Sequence, residues 1–168
     1  RSGDKINIAG SALRSRGMEP FLKELTDALI HHVLGLGTVN PVSLAEDMRR
    51  DIASARFPVE RLAKSEYLSQ NPESYQRAVE TSSKSRRASL EVALRMNPMP
   101  RMGDQVAYYL SRGDKKRAPD WQTARPLGDY DPDSLPYDAD TYLRKLDDWL
   151  KRYTPFLDRA TPQPPQQT

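Results

Sequence analysis

Apolar residues recur every three or four positions in several stretches of this chain, the spacing that places them on one face of a helix. The pattern predicts four helices, over about residues 18–36, 43–55, 84–96 and 139–153. Pro20 falls in the first turn of the first helix, where the missing N–H of proline does no harm. Ser43 and Glu46 have the spacing of a capping box and predict the start of the second helix.

A shorter stretch has the composition of a β-strand. Val106, Tyr108 and Tyr109 are β-branched or aromatic, follow a Gly-Asp turn and predict a strand over about residues 105–111. A second strand is expected near residues 123–127, and Pro72 is expected to begin a further short helix. The predicted fold is therefore mainly α with a small antiparallel β element, an α+β class.

Proline and polar residues mark the ends of the predicted domain. Residues 1–16 read as a short extended segment, and residues 17–157 carry all the periodic elements. Residues 158–168, which end in TPQPPQQT, have the composition of a disordered tail. The chain does not begin with Met, which suggests a piece of a longer protein.

The overall charge is only mildly basic. Of the residues, 37% are hydrophobic and 29% are charged, and the formal net charge is +3, so any contact with nucleic acid must come from local clustering. No cysteine is present, which excludes disulfides and thiolate metal sites and fits a reducing compartment, such as a bacterial or archaeal cytoplasm with its nucleoid. No apolar run reaches the ~20 residues that span a bilayer, so no membrane partner is expected.

Charge does cluster between the second and the last helix. Residues 81–87, TSSKSRR, hold three cations, three serines and no acid. Cations and hydroxyls both donate hydrogen bonds to phosphate oxygens. The alternative is a solvated helix start whose serines only cap the helix, and the two interpretations are compatible because a helix N-terminus itself attracts phosphate. The candidate phosphate contacts are Lys64, Ser65, Tyr75, Arg77, Ser83, Lys84, Ser85, Arg86 and Arg87.

Two other basic groups are weaker candidates. Arg14 and Arg16 precede the first helix, where they either touch a duplex or pair with acids such as Asp4 or Glu19. The second basic run comprises Arg112, Lys115, Lys116 and Arg117. Most runs of this kind are solvent-exposed turns, so a turn is the expected role and DNA contact is the alternative.

Catalytic and metal sites have little support in the sequence. His31 and His32 diverge by ~100° on a helix and cannot bind one metal together. Two Asp-x-Asp strings, at residues 131–133 and 138–140, are more typical of turns and helix caps than of metal ligands. No P-loop or dinucleotide fingerprint occurs. Trp121 and Trp149 are expected to pack rather than to stack on bases.

Taken together, these segments resemble the C-terminal region, the thumb, of family B DNA polymerases. The resemblance rests on three stretches: INIAGSALRSR before the first helix, FPVERLAKSEYLSQNPESYQ, and MGDQVAYYLS followed by YDADTYLRKLDDWLKRYTPFL. The last is the most specific, because strand, acidic loop and Tyr-rich helix follow in order. Where many members carry a His before the penultimate helix, this chain has SKSRRAS.

The resemblance implies a function for the chain and for its parent. Residues 1–16 would lead from the palm into a thumb that grips primer-template DNA by its backbone. The parent would be a DNA polymerase whose Mg²⁺ ions bind palm aspartates, so the thumb alone would be non-catalytic, without a metal or cofactor. Its partners would be duplex DNA, the rest of the polymerase and a replication accessory protein. The alternative is a protein-interaction module that docks a replication or repair factor through its last helix and tail.

Overall fold

The computed structural model describes residues 17–82, 84–113 and 117–160, with side chains to residue 157. Its helices are α1 (Pro20–Val33), α2 (Pro41–Ala53), α3 (Pro72–Thr81), α4 (Ala88–Leu94), α5 (Asp120–Thr123) and α6 (Ala139–Ala160). Its strands are β1 (Lys64–Tyr67), β2 (Gln105–Leu110) and β3 (Ala124–Pro126). The predicted class, mainly α with a small antiparallel β element, is confirmed. Arg14, Arg16 and Ser83 lie outside the described residues.

The three long helices share the main core. α6 packs against both α1 and α2, and Phe21, Leu25 and Leu29 of α1 are fully buried. Trp149 of α6 donates its indole N–H to the Thr26 hydroxyl at 3.0 Å, which satisfies two buried polar groups across the helix pair. Trp149 is therefore a packing residue, as its place on the apolar stripe predicts.

The sheet connects this core to a smaller one. Its strand order is β1-β2-β3 and both pairs are antiparallel, with Lys64 opposite Tyr108 and Tyr109 opposite Arg125. α4 packs against β2, β3 and α5, and α3 packs against α4. The second cluster of buried side chains comprises Leu68, Tyr75, Leu90, Ala93 and Val106.

Two helix boundaries differ from the sequence prediction for local reasons. α1 ends at Val33 rather than near residue 36, because Gly35 adopts a φ of 72° and the next amides bond back to the His31 carbonyl. α2 begins at Pro41 rather than at residue 43. Its N-cap is Asn40, whose side chain accepts from the Val42 and Ser43 amides at 2.9 and 3.2 Å.

The last helix is longer than predicted. It continues through Pro155 to Ala160, although a proline inside a helix removes one backbone hydrogen bond and costs ~3 kcal/mol. Tyr153 and Leu157, on either side of that proline, are 2% and 8% exposed in the main core. Their burial offsets the proline penalty. The first residues of the predicted disordered tail, 158–160, are consequently helical.

No helix in the described part of the chain combines the length and the apolar character needed to cross a membrane.

Candidate nucleic-acid interface

The basic segment, defined here as residues 84–87, is exposed and has no regular secondary structure between α3 and α4. The predicted helix over residues 84–96 is reduced to Ala88–Leu94, with Arg87 as the N-cap in a β conformation. No side chain caps the start of α4. Ser85 therefore does not act as the predicted N-cap. All four side chains of the segment face solvent rather than the core.

The buried Tyr75 holds the backbone of the basic segment through a hydrogen bond to Arg87. Its hydroxyl donates to Glu91 Oε2 at 2.5 Å and accepts from the Arg87 backbone N–H at 2.9 Å. Burial first, and then Glu91, raises the pKa of Tyr75 to about 12. Tyr75 is only 2% exposed, so the prediction that it touches a phosphate directly is wrong. It is instead a positioning residue for Arg87.

Two arginines of the segment are held by side chains from elsewhere in the chain. The Arg86 guanidinium forms an ion pair with Glu91 at 3.3 Å and lies over the Trp121 ring, 4.8 Å from its centroid. Arg87 donates through Nη1 to the Ser69 hydroxyl at 2.8 Å. Such contacts restrict the rotamers of long side chains and orient their charged ends.

Lys84 and Ser85 make no hydrogen bond or ion pair within the described part of the chain. Their donors are therefore open to solvent or to a ligand. Together with the two oriented arginines, they form a cationic surface with one carboxylate, Glu91, beneath it. That arrangement suits a sequence-independent contact with phosphate oxygens.

The remaining candidates do not all share this surface. Arg77 is exposed on α3. Lys64 and Ser65 are neighbours on the edge strand β1, so their side chains point to opposite faces of the sheet. Lys64 lines a narrow crevice with the acids Glu19 and Asp120, and Ser65 is exposed on the other side. The structure therefore does not bring Lys64 and Ser65 together as one contact.

Sequence reasoning missed the partners that organise the segment. Trp121, expected only to pack, lies half-buried beneath Arg86, and Glu91 joins Arg86 to Tyr75. Glu91 falls one helical turn after Arg87, and that spacing is the one local signal for its role. No pattern in the sequence links Trp121 to Arg86.

The acidic strings serve as structural elements in the described chain. Asp131 accepts from the amides of Asp133 and Ser134 at 2.8 and 3.0 Å, which closes a turn and lowers the pKa of its carboxyl group. Asp138 accepts from the Thr141 amide and hydroxyl at the start of α6. Within residues 17–82, 84–113 and 117–160, no three His, Cys, Asp or Glu side chains are grouped to hold a metal ion.

Comparisons with known proteins show a likeness in fold. No family model and no curated protein matches this chain. Among solved structures, it is similar to the family B DNA polymerase from the hyperthermophilic archaeon Pyrobaculum calidifontis, with a TM-score of 0.56 and 17% sequence identity. The likeness covers 90% of this chain and 19% of that chain, so the chain spans a small part of the polymerase's length.

Proposed function

We propose that this chain is the thumb region of a family B DNA polymerase and that it grips primer-template DNA through phosphate contacts. The observation that carries the proposal is the basic segment, which is exposed and is held by contacts with Tyr75, Glu91 and Trp121. The shared fold with part of an archaeal family B polymerase supports it. Phosphate contacts hold a duplex in register without reading its sequence.

In this proposal the chain itself carries out no bond-making step. Nucleotide addition and its Mg²⁺ ions belong to the palm of the parent enzyme, and this chain lengthens the time that the parent stays on DNA. The direct contacts are Lys84, Ser85, Arg86 and Arg87, with Ser83, Arg14 and Arg16 as further candidates from the sequence. Arg77, Lys64 and Ser65 are proposed as peripheral contacts on neighbouring surfaces.

The alternative is a docking module that binds through its last helix and tail, and the structure gives less support to docking through the helix. The apolar stripe of α6 is occupied by the chain's own core, with Trp149, Tyr153 and Leu157 at most 8% exposed. A partner would have to displace that packing to use the same face.

A duplex titration tests the proposal. Contacts with three phosphates predict a log–log salt slope of about −2.7, which is a loss of roughly 40-fold in affinity between about 50 and 200 mM salt. The triple variant Lys84→Gln/Arg86→Gln/Arg87→Gln should bind a labelled primer-template weakly and lose most of that slope. Duplexes of unrelated sequence should behave alike.

A matched control removes the same charge elsewhere. The triple variant Arg50→Gln/Lys151→Gln/Arg152→Gln changes three exposed cations on α2 and α6, and it should retain both the affinity and the slope. Equal losses in the two triple variants would mean that binding follows net charge and not the basic segment, and the proposal would be wrong.

A further inference from the structure

Arg125 is a half-buried cation that forms no ion pair with a carboxylate of the described residues. Among the half-buried arginines of the described chain, Arg49 pairs with Asp147 and Arg61 pairs with Glu24, but Arg125 makes no ion pair. Its Nη1 donates instead to two backbone carbonyls, those of Gln122 and Ala124, at 3.0 and 2.9 Å. These bonds anchor the guanidinium but pair it with no carboxylate among the described residues.

The surroundings of Arg125 add positive charge. Burial, and then the charge of Arg95, lower the pKa of Arg125, whereas Tyr109 and Asp129 act in the opposite direction. Arg95 makes no ion pair within the described residues either. A partly desolvated guanidinium beside a like charge is unfavourable unless an anion joins it. The end of α4, where Arg95 lies, favours a cation through the helix dipole, but Arg125 in β3 has no such support.

A cavity of about 310 Å³ opens next to this guanidinium. Arg112 and Gln122 line it together with Arg125, and both are exposed side chains with donors that no described residue occupies. Ser111 closes the floor, where its hydroxyl donates to the Thr123 carbonyl at 2.7 Å. None of the described residues that line the cavity is acidic. Two guanidinium groups and an amide around one space are the donor set of a phosphate site.

We propose that this cavity binds a phosphate group between Arg112 and Arg125, with the Gln122 amide as a third donor. The cavity and the basic segment share α5, since Trp121 lies beneath Arg86 and the next residue, Gln122, lines the cavity. In the proposed thumb function, the site takes a further phosphate of the DNA backbone, and that part of the inference rests on the proposed function. Phosphate binding itself does not depend on it.

Titration with inorganic phosphate, followed by NMR of the side-chain Gln122 amide and the arginine Nε–H groups, tests the site directly. We expect saturable shifts at Gln122, Arg112 and Arg125 at constant ionic strength. Arg112→Gln and Arg125→Gln should each weaken phosphate binding by about tenfold, as expected for a charge-assisted hydrogen bond. Arg50→Gln, which removes an exposed cation from α2, should leave it unchanged. Arg112 is exposed, so its variant tests the site even if Arg125→Gln impairs folding.

The second arm separates the two sources of phosphate. If the ligand is a DNA backbone phosphate, Arg112→Gln weakens binding of a labelled duplex and lowers its salt slope by about one. If it is a free phosphate, Arg112→Gln leaves duplex binding intact, while phosphate titration shifts Gln122 in the unmodified chain and does so more weakly in Arg112→Gln. The site is disproved if inorganic phosphate produces no saturable shift, or if the shift is the same in Arg112→Gln as in the unmodified chain. Loss of duplex binding in the Lys84/Arg86/Arg87 variant, by contrast, bears only on the basic segment.

Discussion

Replacing Tyr75 with phenylalanine tests whether a buried hydroxyl organises the basic segment. The change keeps the ring, which fills the smaller core, and removes only the oxygen that joins Glu91 to the Arg87 amide. The Arg87 N–H then lacks its partner, and the Glu91 carboxylate, 12% exposed, keeps only Arg86. Leaving such groups unsatisfied costs ~1–3 kcal/mol, of which the carboxylate takes the larger share.

Urea and thermal unfolding measure this loss. A change of about 2 kcal/mol corresponds to a fall of roughly 4–8 °C in Tm for a domain of this size. The control is Tyr67→Phe, because Tyr67 is 69% exposed on the edge strand and the loss of its hydroxyl should change stability little. Tyr75→Phe should also weaken duplex binding, since Arg87 is no longer held in place. If the two phenylalanine variants unfold alike and bind DNA alike, Tyr75 does not position the segment.

Two further predictions concern buried ionisable groups. Lys145 forms ion pairs with the nearly buried Glu19 at 3.3 Å and with Asp120 at 3.6 Å. Lys145→Met should lower the free energy of unfolding in urea by ~3 kcal/mol, because it leaves Glu19 unpaired. The double variant Lys145→Met/Glu19→Leu should recover most of that lost stability. Burial is the first cause that raises the pKa of Tyr75 and of Tyr109 from 10.0 to about 12. The unfolded chain releases these protons at lower pH than the folded chain does, so the free energy of unfolding keeps its full tyrosine contribution below pH 10 and falls toward pH 12. Urea titrations at these pH values should show a shallower fall for Tyr75→Phe, and an unchanged fall would contradict the prediction.

The elements that the sequence predicts well are those whose signal is local. The apolar spacing of α1, α2 and α6 is visible within each helix, and a proline marks the start of α1. The composition of β2 is equally local. The core residues Phe21, Leu25 and Trp149 are all buried as their periodic positions imply. Fold class follows from these elements because each needs only one face covered.

The errors arise where distant contacts override local preference. The sequence predicts that the last helix stops before Pro155, but Tyr153 and Leu157 bury enough side chain in the main core to carry it past the proline. The helix α4 starts late because Arg87 donates its backbone N–H to Tyr75 and stays extended. Neither effect is visible in a window of neighbouring residues.

The charge count of the basic segment also changes once its contacts are known. Three cations in sequence become two uncompensated ones, because Arg86 pairs with Glu91. This pairing does not remove Arg86 from the interface. A guanidinium has five N–H donors, Glu91 occupies one edge through Nη1, and the side chain of Arg86 remains 41% exposed. Trp121 covers one face of the same group and leaves its other edge accessible. A phosphate approaching that edge meets a guanidinium whose orientation is already fixed, so the entropy of ordering it is lost on folding rather than on binding.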